Sequence, residues 1–143
     1  MLKWGKHLSV GNAIIDSEHK NLLIMVNDLS AIIKTKDSAA LLLALEQFEH
    51  WLCAHFENEE TIARAVNYDF ARNKLEHEKL LKEFQRMKKE AAAKNRSRSG
   101  STAKQYSRFL GDWIVGHIME EDMLMKTVLQ THDYSFTPTG LAQ

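Results

Sequence analysis

A histidine and a glutamate stand four residues apart in His55-Phe56-Glu57-Asn58-Glu59-Glu60. On a helix, residues i and i+4 share one face, a turn apart. The rest of that face is apolar: Leu41, Leu45, Phe48 and Leu52 precede the pair, and Ile62 and Val66 follow it. An imidazole and a carboxylate therefore take successive core positions of a heptad-like stripe. A buried carboxylate without a partner is costly. Something must compensate Glu59, and a metal ion is one candidate.

The elements that position this pair can be read from the same periodicity. Residues 1–16 form an extended arm broken by Gly5 and Gly11, with Trp4, Leu8, Val10, Ile14 and Ile15 to bury. Ile15, His19, Leu22, Val26, Leu29 and Ile33 predict a helix over 17–35, with Asp16 or Ser17 able to cap its start. After a short connector, Thr35 to Ser38, the second helix covers 39–65. Asn67-Tyr68-Asp69 breaks it, and the third helix covers 70–94 on the stripe Phe70, Asn73, His77, Leu80, Leu81, Phe84, Met87, Ala91. Asn95 to Ser101 reads as a solvated loop, with Ser101 or Thr102 as the next cap. The fourth helix covers 103–129, and its stripe begins Tyr106, Leu110, Trp113, His117. The tail, 130–143, has Tyr134 and Phe136 as its packing residues. Short links between amphipathic helices imply antiparallel neighbours. The expected fold is all-α: one domain over 1–143, an antiparallel up-down-up-down four-helix bundle with an N-terminal extended arm.

In that topology His19, His55, His77 and His117 fall at one level of the core. A single seam histidine is more commonly a hydrogen-bonded core residue, and a lone glutamate more commonly snorkels from a stripe's edge. Four histidines converging on a carboxylate in an apolar interior form a metal-site pattern. His7, His50, His132 and Cys53 lie off these stripes, and the histidines among them read as surface residues. The fourth helix offers several acids after His117. On an ideal helix Glu121 stands about 40° from His117 and Asp122 about 140° away. Periodicity alone therefore favours Glu121.

Composition narrows the class. Of 143 residues, 44% are hydrophobic, with one proline and six glycines, which favours helix. Lys plus Arg equals Asp plus Glu at 19 each, so nothing argues for nucleic acid or an anionic membrane. The single cysteine suits a reducing compartment. No apolar run approaches the roughly 18–20 residues of a membrane span. The N-terminus lacks the apolar region of a secretion signal, so a cytoplasmic location is expected. The Glu-x-x-His pairs of ferritin-like oxidases and the H-E-x-x-H of zinc proteases are both absent.

Longer segments carry a resemblance. Trp4…Val10-Gly11-Asn12…Ile15-Asp16-Ser17-Glu18-His19-Lys20…Leu23, then His55-Phe56-Glu57-Asn58-Glu59-Glu60, then His77, then Trp113-Ile114-Val115-Gly116-His117-Ile118…Asp122 together resemble the bacteriohemerythrins, a hemerythrin-like family. The resemblance spans nearly the whole chain. It implies a non-haem di-iron centre, two iron ions with a bridging oxygen species, that binds dioxygen reversibly without turnover. By match, His19 and His55 ligate one iron, His77 and His117 the other, and Glu59 and Asp122 bridge them. The resemblance thus selects Asp122 over Glu121. That choice requires the fourth helix to leave ideal winding between His117 and Asp122, for example through a π-bulge. Leu23, Phe56, Ile114 and Ile118 are placed to line a dioxygen pocket.

One position departs from the family pattern. The third helix of the family supplies H-x-x-x-H, and here Asn73 takes the first place. Its carbonyl oxygen is a weaker transition-metal ligand than imidazole. Weaker retention of one metal, a second open position, and faster oxidation or peroxide chemistry follow. The expected function is dioxygen binding for storage, delivery or sensing. The alternatives are a redox or peroxidase-like protein with an incomplete iron site, and a metal-free helical interaction module. The sequence names no protein partner.

Overall fold

The computed structural model describes residues 2–93 and 100–141; the side chains of residues 93, 100–103 and 118 lie outside the description. Among the described residues there is no strand. Helix α1 is Ala13–Thr35, α2 is Ser38–Ala65, α3 is Ala71–Ala93 and α4 is Gly100–Gly116. The fourth rod continues past α4 as a π-helical turn, His117–Glu121, a 3-10 turn, Asp122–Met125, and the short helix α5, Lys126–Leu129.

Local chemistry sets the ends. Helix α1 starts four residues earlier than the stripe predicts, because Asn12 caps it by accepting from the amides of Ile14 and Ile15. Asp16 and Ser17, the expected caps, are already inside the helix. Lys36 ends α1 in the left-handed region, φ 60°, and Asp37 caps α2 by accepting from the amide of Ala40. A two-residue link of this kind forces the antiparallel return. Ser101 and Thr102 are helical residues of α4, not caps, and residues 94–99, with most of the expected loop, lie outside the described residues.

The arm carries its own 3-10 turn, Lys6–Leu8, and is fastened to α1. Leu2 exchanges two hydrogen bonds with the Asn27 side chain, and Lys20 sits 4.3 Å above the Trp4 ring. Ser9 Oγ, the Val10 amide and the Tyr134 hydroxyl all donate to the buried Asp16 carboxylate. That last bond pushes the Tyr134 pKa up. The tail is thus held by more than packing, since the Ala13 amide and the Asn12 side chain also donate to tail carbonyls. Gly11 makes the turn between arm and helix at φ +86°, where an L side chain is strained.

Every stripe residue read from α1 and α2 is buried. The apolar residues form two clusters. The larger contains Leu22, Val26, Leu52, Phe84 and Leu110; the smaller contains Val10, Ile15, Ile62, Phe70, Met125 and Leu129. Each rod passes from one cluster to the other, and its histidine or acid falls in between. Phe48 locks the larger cluster, with its ring 5.2 Å from Phe84 and 6.1 Å from Trp113. Phe48→Ala should therefore cost about 3–5 kcal/mol in urea denaturation. Leu75→Ala, at a side chain 68% exposed, should stay within about 0.5 kcal/mol of wild type.

Candidate metal centre

The polar layer holds His19, His55, Glu59, Asn73, His77, His117 and Asp122, each 5% exposed or less. Helix α1 supplies His19 one turn after Ile15. Helix α2 supplies His55 and Glu59, and α3 supplies Asn73 and His77. The fourth rod supplies His117 and Asp122 across its π turn. A π turn inserts extra rotation, and its closing bond here runs from the Asp122 amide to the His117 carbonyl, five residues back. Asp122 thereby enters the core at 0% exposure. Glu121 turns its carboxylate toward Arg72 instead, with 3.5 Å between Nη2 and Oε1. Periodicity had favoured Glu121, and the change of winding reverses that order.

Four imidazole Nε2 atoms face two carboxylates. Glu59 Oε1 lies 2.5 Å from His55, 3.2 Å from His19 and 3.4 Å from His117. Its other oxygen, Oε2, lies 3.3 Å from His77 Nε2. Asp122 Oδ2 lies 2.6 Å from His19, 3.1 Å from His117 and 4.0 Å from His55. Ligand atoms of His19, His55, Glu59, His117 and Asp122 all lie within 4.8 Å of one another. His77 stands beside this group, reached through Glu59.

These short approaches mostly lack hydrogen-bond geometry. Among the described residues, His55 Nε2, His77 Nε2, Glu59 Oε2 and both Asp122 carboxylate oxygens are buried without a hydrogen-bond partner. Buried polar atoms are normally satisfied, so this many at one point need an explanation. A cation at their centre supplies one. The donor set, imidazole nitrogens with two carboxylates, suits a first-row transition metal.

The charges are strongly coupled in the metal-free protein. Burial lowers the pKa of His55, but the charge of Glu59, the hydrogen bond to Glu18, the close approach of the Glu59 carboxylate, and the charge of Asp122 outweigh it and lift the pKa from 6.5 to about 9. Burial likewise opposes the protonated form of His117, and Asp122 and Glu59 raise it well above 6.5. Burial raises the Glu59 pKa, and His55 and His117 bring it well below 4.5.

Two residues without a role in the sequence reading complete the layer. Glu18 Oε1 lies 2.8 Å from His55 Nδ1, and Glu18 Oε2 accepts from Asn58 Nδ2 at 2.6 Å. This carboxylate fixes the ring and leaves Nε2 for the centre. Both residues flank the stripes, so periodicity gives no sign of them. Asn73 donates from Nδ2 to the Glu121 carbonyl at 3.3 Å, and its Oδ1 is buried without a hydrogen-bond partner among the described residues.

Apolar side chains wall the layer. Phe56 stacks on His77 with ring centroids 3.8 Å apart and planes at 9°. Leu23 and Ile114 are buried in the same cluster as Phe56, while the side chain of Ile118 lies outside the described residues. A cleft of about 220 Å3 reaches His77 and is lined by Cys53, Phe56, Phe70 and Leu81 together with the charged Glu57, Glu60, Lys74 and Glu78. His7 and His50 are exposed, and His132 is half-buried against Phe136, 4.9 Å away.

The fold and this layer define a helical bundle built around a histidine–carboxylate centre. The profile described as Hemerythrin HHE cation binding domain matches residues 10–129, and the chain belongs to the hemerythrin family. A bacteriohemerythrin of Methylococcus capsulatus is 32% identical over 110 residues, covering 76% of this chain and 81% of that protein. One from Pseudomonas aeruginosa is 27% identical over 121 residues, covering 85% and 76%. A hemerythrin-like protein of Naegleria gruberi is 28% identical over 127 residues, covering 88% and 92%. The crystal structure of a wild-type hemerythrin superposes with a TM-score of 0.79 at 28% identity, covering 91% of this chain and 98% of that one. No helix among the described residues is long and apolar enough to cross a membrane.

Proposed function

We propose that the protein binds dioxygen reversibly at a non-haem di-iron centre and serves in oxygen storage, delivery or sensing. The carrying observation is Glu59, which is fully buried and has one or the other of its oxygens within 3.4 Å of the Nε2 of each of the four histidines. Such a carboxylate suits two metals. The ring pairs support the split. His19 and His55 lie 4.7 Å apart, and His77 and His117 lie 4.8 Å apart. His117 stands 5.9 Å from His19 and 5.7 Å from His55. His19 and His55 would hold one iron and His77 and His117 the other, with Glu59 and Asp122 between them. Two irons held there would supply the electrons for reversible dioxygen binding.

The chain's own residues do the rest. Glu18 holds the His55 ring in one tautomer. Phe56, Leu23 and Ile114 keep the surroundings apolar and limit water. The single cysteine, Cys53, fits a cytoplasmic location. Metal analysis combined with optical spectra of reduced, oxygenated and oxidised protein tests the reading. Two irons per chain with a persistent oxygenated band support it, and a protein that takes up no iron overturns it. A second reading, peroxidase-like redox chemistry, rests on Asn73: a neutral amide oxygen beside His77 would retain its metal less firmly than a second imidazole. Rapid oxidation with peroxide turnover supports that reading.

Glu18→Ala tests the ring-positioning role. It should lower iron affinity by about 10- to 100-fold in chelator competition. Unchanged affinity would remove Glu18 from the account.

A further inference from the structure

The start of α3 holds one residue of the π turn at two points. Asn73 is 1% exposed and donates from Nδ2 to the backbone carbonyl of Glu121 at 3.3 Å. Its neighbour Arg72 reaches the carboxylate of the same residue at 3.5 Å. Glu121 is the last residue of the π turn, and Asp122 begins the 3-10 turn that follows. The winding therefore changes at the residue that Arg72 and Asn73 grip. Ideal winding would leave Glu121 about 40° from His117 and Asp122 facing away. With Glu121 held toward α3, its carboxylate points to Arg72, and Asp122 faces His19 and His117.

We propose that Arg72 and Asn73 form a clasp that sets the carboxylate register of the fourth rod, making Asp122 and not Glu121 the acid of the centre. The proposal rests on the metal-centre reading above. Arg72 is 74% exposed, so its ion pair is screened and adds little stability; its effect is one of direction. The Asn73 bond is buried, and losing it leaves a buried carbonyl without that donor. Asn73 is thus a positioning residue acting through its amide nitrogen. A ligand role through Oδ1 predicts the opposite response to Asn73→Asp, which keeps the oxygen, adds charge and removes the donor.

The test measures anaerobic binding of ferrous iron to the full chain by chelator competition and elemental analysis, with circular dichroism to verify folding. Asn73→Asp should weaken iron binding by about 10- to 100-fold. Glu121→Gln removes the ion pair with Arg72 and should lower iron affinity in the wild-type background, although the Asn73 bond still holds the Glu121 carbonyl. In an Arg72→Ala background the pair is already gone, and Glu121→Gln should raise iron affinity, because it removes the charge of a released carboxylate that competes for the centre. Arg72 is on the surface and Glu121→Gln keeps the shape of its buried side chain, so this second comparison changes no volume in the core. Asn73→Asp binding iron as well as wild type or better, or Glu121→Gln having the same effect in both backgrounds, overturns the clasp. Wild type taking up no iron overturns the metal-centre reading and the clasp with it.

Discussion

Glu59→Gln is expected to abolish iron retention while leaving the bundle folded. The substitution keeps the shape and removes the charge. Glu59 is 0% exposed, and its two oxygens lie within 3.4 Å of all four histidine Nε2 atoms. An amide presents one oxygen in place of two, and its nitrogen would face an imidazole nitrogen. The loss of affinity should exceed the about 10- to 100-fold that changes outside the ligand set produce. Glu60 is the control. It is one residue away, partly exposed, and pairs with Lys74 and Arg64. Glu60→Gln should keep the wild-type iron content. Thermal denaturation gives an independent readout. A metal that binds only the folded chain stabilises it in proportion to the logarithm of free metal over Kd. Added iron should raise the Tm of wild type and of Glu60→Gln, and leave the Tm of Glu59→Gln at its own chelated value. Stoichiometric iron in Glu59→Gln would remove Glu59 from the centre.

The stripes were legible because burial follows the helical repeat. Ile15, His19, Leu22, Val26, Leu29 and Ile33 were read from spacing and are all 2% exposed or less. The polar residues on those stripes were legible for the same reason: His19, His55, Glu59, His77 and His117 interrupt apolar runs. The structure brings all five together, whatever they hold. The start of α1 was not legible. Asp16 looks like a cap, but its carboxylate is taken by Ser9, Val10 and Tyr134, and the last of these is 118 residues away. With Asp16 engaged inside the helix, capping falls to Asn12. Asp122 shows a different limit. Regular periodicity turns it outward, and only the resemblance to a family required the π turn that brings it in. Glu18 and Asn58 escaped because they act from beside the stripes, through a ring nitrogen that no repeat reveals.

The stability of the metal-free protein should fall as pH rises from 6.5 toward about 9, and metal loading should flatten that slope. The sign follows from the buried charges. The folded pKa of His55 stands at about 9, above its ordinary 6.5. Its protonation therefore contributes stability that is fully present below 6.5 and is lost as pH passes through about 9. His117 is displaced in the same direction. Glu59 is displaced downward, so its contribution is present above 4.5 and is lost as pH falls toward its depressed value. The metal-free protein should accordingly be most stable between 4.5 and 6.5 as far as these groups decide it. For His55 alone the displacement corresponds to roughly 3 kcal/mol, shared with the carboxylates that cause it. Metal binding needs the same imidazoles neutral, so protons compete with the ion and affinity rises with pH. Urea denaturation of chelator-treated and metal-loaded protein across this range separates the two forms. A cluster that protonates when metal-free and binds metal when neutral gives a falling line for the metal-free protein and a flat one for the loaded protein. Parallel slopes would mean that the four histidines and two carboxylates form a buried ion-pair network and nothing more.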